Sequence, residues 1–92
     1  MTKTIGVVIM GRVQGVGYRA WCQTEAMSLS LSGWVRNRRD GSVEANFAGL
    51  PEDVEEMLRR VRLGPPGAKV SSVEPVEAVI SPDERFLVLP TA

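Results

Sequence analysis

Apolar and polar positions alternate along this chain with two different periods, and these periods predict an ordered series of strands and helices. Residues 4–12 are rich in β-branched side chains and predict a first strand. Residues 18–31 carry apolar side chains at helical spacing and predict a helix. Residues 33–38 and 42–48 are predicted as two further strands, joined by a tight hairpin turn at Asp40-Gly41.

The second half of the chain predicts one more helix and two more strands. A helix is expected to begin at Pro51, because the missing N–H of proline costs nothing at the first helical position. Residues 73–80 are predicted as a fourth strand, in which Pro75 indicates an edge position or a bulge. A turn at residues 81–83 leads to a short final strand at residues 85–89. The order βαββαβ plus a C-terminal strand predicts an α+β, ferredoxin-like sandwich with two helices on one face of a mostly antiparallel sheet.

The first helix is predicted to be buried broadly on one side. One apolar row begins with Tyr18 and Cys22, and an adjacent row contains Met27 and Leu31. Cys22 is therefore expected to be a small buried hydrophobe rather than a nucleophile, since the chain has no histidine that could activate it.

Length and composition narrow the possible functions. The 92 residues predict one domain spanning residues 1–92, most simply a monomer. One Cys and no His exclude an internal disulfide and a Cys/His zinc site, so no metal or cofactor is expected. No apolar run approaches the ~20 residues of a membrane span, and no signal peptide is evident, which predicts a cytoplasmic protein without membrane contact.

The net charge of zero conceals two unlike halves. Residues 1–39 carry six basic and one acidic side chain, 6 − 1 = +5, whereas residues 40–92 carry five basic and ten acidic ones, 5 − 10 = −5. The zero total argues against bulk electrostatic binding to nucleic acid, and the asymmetry directs attention to the basic half.

A glycine-rich segment follows the first strand, with the sequence GRVQGVGYR from Gly11 to Arg19. Glycines let successive backbone N–H groups converge on an anion, and the following helix start and Arg19 add positive charge. Three interpretations compete: a turn needed only for geometry, a dinucleotide-binding loop, and a small phosphate or acyl-phosphate site. The dinucleotide interpretation fails because the next strands form a hairpin rather than a parallel unit, and the third interpretation fits every local feature.

A second informative segment reads GWVRNRRDGSV, from Gly33 to Val43. Asn37 has low strand propensity, so its position near a strand end indicates a turn role or a functional one. The arginines of this segment could alternatively form an RNA-binding stripe, although the aromatic-rich motif of sheet RNA modules is missing. Those arginines are Arg36, Arg38 and Arg39.

Both segments resemble the signature sequences of the acylphosphatase family. A third match is GPPGAKV, from Gly64 to Val70, and the three motifs occur in order at matching spacing over nearly the whole chain. The resemblance implies an open-faced sandwich that hydrolyses the carboxyl–phosphate bond of a small acyl phosphate. Domains of this type also occur inside larger carbamoyl-transferring maturation proteins, but the length favours a free-standing enzyme.

The resemblance also implies roles for individual residues. Arg19 corresponds to the family's phosphate-binding arginine and Asn37 to its water-positioning asparagine. The phosphate cradle, which would hold the substrate or inorganic phosphate, corresponds to Gln14, Gly15, Val16, Gly17 and Tyr18. Two departures from the family are Ser30, where a glycine helix cap is usual, and a C-terminus that lacks the closing aromatic residue.

Overall fold

The structure is a computed structural model that describes residues 1–79 and 84–92, and within them the predicted elements occur in the predicted order. The strands and helices are β1 (Lys3–Arg12), α1 (Tyr18–Ser28), β2 (Ser32–Asn37), β3 (Val43–Gly49), α2 (Pro51–Leu63), β4 (Lys69–Val76) and β5 (Phe86–Val88). The five strands form one sheet in the order β4-β1-β3-β2-β5, in which only β2 and β5 pair in parallel. The ferredoxin-like α+β prediction is confirmed.

Both helices cover the same face of the sheet. Strand residues that alternate along the sheet point towards the helices, and Ile9, Val35 and Phe47 are fully buried among them. Cys22 of α1 and Met57 of α2 complete this layer from the other side. Neither helix of the described residues is long and apolar enough to cross a membrane.

The opposite face of the sheet is crossed by the chain that leaves β4. The backbone N–H of Val79 donates a 2.6 Å hydrogen bond to Oδ1 of Asn46, a β3 residue whose neighbours Ala45 and Phe47 point to the helices. Gly6 lies beneath this segment, and a Cβ at that position would stand 3.1 Å from the Glu77 carbonyl oxygen. Residues 77–79 thus lead from β4 over Gly6 of β1 to Asn46 of β3.

The fourth strand differs in its bounds from the prediction. It begins at Lys69 rather than at residue 73 and ends at Val76, while residues 80–83, including the predicted turn, lie outside the described part of the chain. β4 begins early because Lys69 and Val70 already pair with Arg12 and Gly11 at the end of β1. β4 is an edge strand, as Pro75 had indicated.

The first helix also ends before its predicted limit, at Ser28. Ser30 adopts a φ of 56°, and two backbone hydrogen bonds close the end of the helix around it, from Ser30 N–H to Met27 and from Leu31 N–H to Ala26. This is the pattern in which glycine usually occupies the left-handed position. The prediction of a broadly buried helix was partly wrong, because Leu31 is buried but the Met27 side chain is 61% exposed.

Candidate active site

A cavity of about 350 Å³ opens at the end of the sheet where β1 leads into α1 and where β2 ends. Three stretches of chain meet there: the glycine-rich loop with the first turns of α1, the last residue of β2, and the end of β5. The lining residues are Val13, Gln14, Gly15, Gly17, Tyr18, Arg19, Ala20, Gln23, Asn37 and Val88. The fold therefore brings the two predicted catalytic residues, far apart in sequence, into one cavity.

The loop between β1 and α1 requires glycine for conformational reasons. Gly15 and Gly17 have φ values of 76° and 77°, in the left-handed region that side chains rarely adopt. A Cβ built at either position would meet nothing within 4 Å, so space is not the constraint. Left-handed residues turn consecutive N–H groups towards a common point, which is the geometry of an anion-binding nest.

The N-terminus of α1 adds to this positive region. Its cap residue is Gly17, no side chain caps the helix, and its first turn contains no acidic residue. The second helix differs, because Glu52 and Asp53 occupy its first turn. The first N–H groups and the positive dipole end of α1 are thus left for an anion in the cavity.

Arg19 supplies the charge of the cavity. Its guanidinium makes no ion pair or hydrogen bond with any residue that the structure describes. Other arginines are neutralised by carboxylates: Arg36 by Glu44 at 2.9 Å and Arg60 by Glu56 at 3.0 Å. A planar fork without an internal partner is suited to bidentate contact with a phosphate group.

Asn37 contributes an unpaired acceptor. Its side-chain oxygen, Oδ1, is buried and accepts no hydrogen bond within the described residues. A buried carbonyl oxygen without a donor costs free energy, so Oδ1 of Asn37, a residue of the cavity wall, is the acceptor that a bound water or ligand hydrogen would satisfy. Asn37 is the last residue of β2, and the direction of its side chain, towards the helices like that of Val35, follows from strand alternation.

Gln14 has a role that the sequence did not predict. Its side-chain Nε2 donates hydrogen bonds to the carbonyl oxygens of Arg38, at 2.8 Å, and of Ser42, at 2.9 Å. The side chain thus ties the glycine-rich loop to the β2–β3 hairpin, immediately after Asn37. Because its side-chain donor is used by the hairpin, Gln14 can contribute only its backbone to an anion cradle.

The remaining predicted cradle residues, Val16 and Tyr18, turn their side chains elsewhere. Tyr18 is 2% exposed, and its hydroxyl donates a 2.7 Å hydrogen bond to the carbonyl oxygen of Val61 in α2. Val16 packs against the core and does not line the cavity. Tyr18 can therefore face an anion only through its backbone, and Val16 lies beside the cavity rather than in it.

The β2–β3 hairpin is held closely beside Asn37. The carboxylate of Asp40 accepts hydrogen bonds from the backbone and the hydroxyl of Ser42, and these hold the pKa of Asp40 below its usual value. The turn is closed by Gly41 N–H on the Arg38 carbonyl at 3.1 Å, as the Asp-Gly pair predicted. The carboxylate of Asp40 is thus used within the turn.

Two arginines of the stripe predicted as an alternative RNA surface are paired with carboxylates, Arg36 with Glu44 and Arg38 with Asp40, whereas Arg39 is exposed. The Arg36 guanidinium lies 4.8 Å from the ring centre of Trp34 and is paired with Glu44. Trp34 itself is only 6% exposed. Stacking on RNA bases needs an open aromatic face, which Trp34 does not offer.

Other titratable groups near the cavity are buried within the protein. Burial raises the pKa of the Cys22 thiol far above its usual value, with the Glu25 carboxylate adding to the shift, and burial likewise raises that of the Tyr18 hydroxyl. Within the described residues no group of His, Cys, Asp and Glu side chains could hold a metal ion. Cys22 is thus a core residue in the protonated state.

Four residues of the cavity wall were not predicted from the sequence: Val13, Ala20, Gln23 and Val88. Gln23 follows Arg19 by one helical turn, so helical spacing could have found it. Val88 had no local signal, because its position depends on the pairing of β5 with β2 across more than fifty residues.

Comparison with known proteins identifies the family. A family model described as Acylphosphatase matches residues 5–87. A protein named Acylphosphatase from Nitrobacter hamburgensis is 56% identical over 91 residues, which cover 92% of each chain. Among solved structures, an acylphosphatase from Bacillus subtilis superposes with a TM-score of 0.88 at 33% identity, covering 97% of this chain and 99% of that one.

An acylphosphatase structure from Coxiella burnetii gives a TM-score of 0.89 at 34% identity and covers 96% of this chain and 93% of that one. The matches extend over the loop, both helices and the strand that carries Asn37. The chain therefore belongs to the acylphosphatase family and is a hydrolase.

Proposed function

We propose that the chain hydrolyses the carboxyl–phosphate bond of acyl phosphates to a carboxylate and inorganic phosphate. The phosphate is held by the N–H groups of the loop and α1 together with Arg19, and Asn37 positions the attacking water. The observation that carries this proposal is one cavity whose wall contains both Arg19, with an unpaired guanidinium, and Asn37, with a buried and unpaired amide oxygen. Membership of the acylphosphatase family supports the substrate class.

The reaction needs no acid to protonate the leaving group. The conjugate acid of a carboxylate has a pKa near that of a Glu side chain, ~4.3, so the carboxylate departs as the anion at neutral pH. The transition state of phosphoryl transfer spreads negative charge over the equatorial oxygens of the phosphorus. Fixed N–H donors and the Arg19 guanidinium stabilise that charge, a contribution that is usually the largest in such sites.

The attacking water is held by the acceptor that the protein leaves unpaired. One O–H of the water donates to Oδ1 of Asn37, which orients a lone pair of the water towards phosphorus. No His, Asp or Glu is among the described residues that line the cavity. The proton of the water is accordingly proposed to pass to a phosphate oxygen of the substrate.

Replacement of the two residues should separate phosphate binding from water positioning. Arg19→Ala is expected to lower kcat/KM for acetyl phosphate by at least ~10²–10³, as removal of one transition-state donor does elsewhere. Asn37→Ala should lower kcat comparably but leave the inhibition constant of inorganic phosphate within about twofold, because its acceptor acts on the water.

Arg62→Ala is the matched control, since Arg62 is exposed on α2 and outside the cavity. It should keep native turnover. Near-native hydrolysis of acetyl phosphate by purified, folded Arg19→Ala would contradict the proposed role of Arg19. A loss of phosphate affinity in Asn37→Ala equal to that in Arg19→Ala would contradict the proposed division of roles.

We also propose that residues 1–92 act as one domain and as a monomer in the cytoplasm. The single core beneath both helices supports one folding unit. The buried, protonated thiol of Cys22 agrees with a reducing compartment. Light scattering at micromolar concentration tests the monomer, which a mass of two chains would contradict.

A further inference from the structure

A second cavity lies next to the first along the same helix. It measures about 480 Å³, and its lining includes Gln23, Met27, Leu31 and Phe86. The polar and charged residues Ser30, Glu84 and Arg85, with Leu87, complete the described lining. This groove lies between α1 and the edge strand β5, and nothing in the proposed reaction uses it.

The two cavities share one residue, Gln23. Its side-chain Nε2 donates a 3.0 Å hydrogen bond to the carbonyl oxygen of Phe86, so it spans from α1 to β5 at the point where the cavities meet. This hydrogen bond holds the Gln23 side chain in the wall that the two cavities share. The groove therefore adjoins, at Gln23, the cavity that Arg19 lines.

One face of α1 connects the phosphate site with the groove. Arg19, Gln23 and Met27 follow each other at intervals of four residues and lie in one row on the helix surface. At 1.5 Å per residue, Met27 lies about 12 Å along the axis from Arg19. A substrate whose phosphate is bound at Arg19 can thus extend along this row into the groove.

Met27 is the residue that marks the groove as a binding surface. Met27 lies in the last turn of α1 and is 61% exposed, whereas Leu31, which follows the end of the helix, is 3% exposed. Leu31 and Phe86 form the adjacent apolar wall. An exposed, flexible thioether beside buried apolar side chains is suited to contact apolar ligands of varied shape.

In-line displacement at phosphorus restricts where the acyl group can lie. The leaving oxygen stands opposite the attacking water, so the acyl group leaves the cavity on a side away from the Asn37 amide oxygen. Gln23 lines both this cavity and the groove, so an acyl group that leaves the cavity past Gln23 of α1 enters the groove.

We propose that the groove binds the acyl group of the substrate, and that the chain prefers acyl phosphates with a medium-length apolar acyl chain over acetyl phosphate. This inference rests on the proposed function. Met27, Leu31 and Phe86 contact the acyl chain and determine specificity, whereas Arg19 and Asn37 act on the phosphate and the water.

The test compares hydrolysis of acetyl phosphate and octanoyl phosphate by the native chain and two variants. The native chain should give a kcat/KM at least tenfold higher for octanoyl phosphate, because only the longer acyl group reaches the groove. Met27→Glu places a carboxylate there and should lower kcat/KM for octanoyl phosphate at least tenfold. Acetyl phosphate turnover should stay within about twofold, which also shows that the variant is folded.

Leu50→Glu is the matched control, because Leu50 is 50% exposed and lies outside both cavities. It should leave the ratio of the two kcat/KM values unchanged. Equal kcat/KM for both substrates in the native chain, or an equal loss for both substrates in Met27→Glu, would overturn the acyl groove. Failure of the native chain to hydrolyse either substrate would instead overturn the proposed function.

Discussion

The clamp formed by Gln14 gives the most specific prediction about how the site is assembled. Its Nε2 bonds the carbonyl oxygens of Arg38 and Ser42, and in this way the phosphate loop is fixed against the hairpin that follows Asn37. Gln14→Ala removes both bonds and leaves the backbone of residue 14 and the other residues of the cavity wall in place. We expect Gln14→Ala to lower both the free energy of unfolding and kcat, because the two hydrogen bonds stabilise the fold and also position the loop beside Asn37.

The magnitude follows from the two hydrogen bonds. Each has good length, 2.8 and 2.9 Å, and contributes about 1 kcal/mol to folding. Neither carbonyl is left without a donor in the variant, since Arg38 O still accepts from Gly41 N–H and Ser42 O from Arg38 N–H. The expected loss in the free energy of unfolding is therefore about 2 kcal/mol, with no added penalty for a stranded acceptor. Displacement of the loop relative to Asn37 should lower kcat about tenfold or more.

Urea unfolding followed by tryptophan fluorescence measures the first quantity, and acetyl phosphate hydrolysis the second. Gln14→Glu should be worse than Gln14→Ala, because a carboxylate oxygen would face two carbonyl oxygens. Gln23→Ala is the comparison variant, since Gln23 makes one such bond and should lose about 1 kcal/mol. A loss below about 0.5 kcal/mol in Gln14→Ala, with unchanged kcat, would refute the clamp.

Two further predictions concern the first helix. Ser30→Gly should raise the free energy of unfolding by about 0.5–1 kcal/mol, measured in thermal or urea unfolding. The reason is that Ser30 has a φ of 56°, a left-handed conformation that is less costly for glycine than for a residue with a side chain. A destabilised variant would contradict this prediction. The pKa of Cys22 is raised by burial, so only the unfolded state loses this proton above about pH 9, and stability should fall by up to about 1.4 kcal/mol per pH unit. Cys22→Ala should remove that part of the alkaline slope in urea titrations between pH 8 and 10, and an identical slope would show that the thiol does not contribute.

Most of the fold could be predicted from periodicity, because each element shows its buried face in the sequence. The second helix begins at Pro51, the first helical position, where proline is favoured, and the Asp-Gly turn is formed as expected. The start of β4 could not be predicted, since the segment Lys69-Val70-Ser71-Ser72 shows no regular alternation of apolar and polar side chains. An edge strand that is exposed on one side needs none, and its register comes from β1.

The sequence predicted some residues of the site but not the role of every side chain. Arg19 and Asn37 were named from motifs, and the structure brings them into one cavity, but their catalytic roles remain a proposal. The function of the Gln14 side chain could not be derived from the sequence, because its partners are backbone carbonyls 24 and 28 residues away. Every residue has a backbone carbonyl oxygen, so the residue types in the sequence do not indicate which carbonyl groups the Gln14 side chain will bind.

The zero net charge of the chain can be explained by how its charges pair. Carboxylates of the second half pair with Lys3, Arg36 and Arg38 of the first half, so part of the basic character of the first half is cancelled locally. Arg19 is different, since no carboxylate is among the described residues that line its cavity and none lies in the first turn of α1. An anion the size of phosphate meets one fixed cation and the N-terminus of a helix, while a polyanion meets no extended basic surface on β2. The same arrangement explains why the absence of histidine is compatible with hydrolysis, because backbone N–H groups and a guanidinium can stabilise the charge on phosphate without an imidazole.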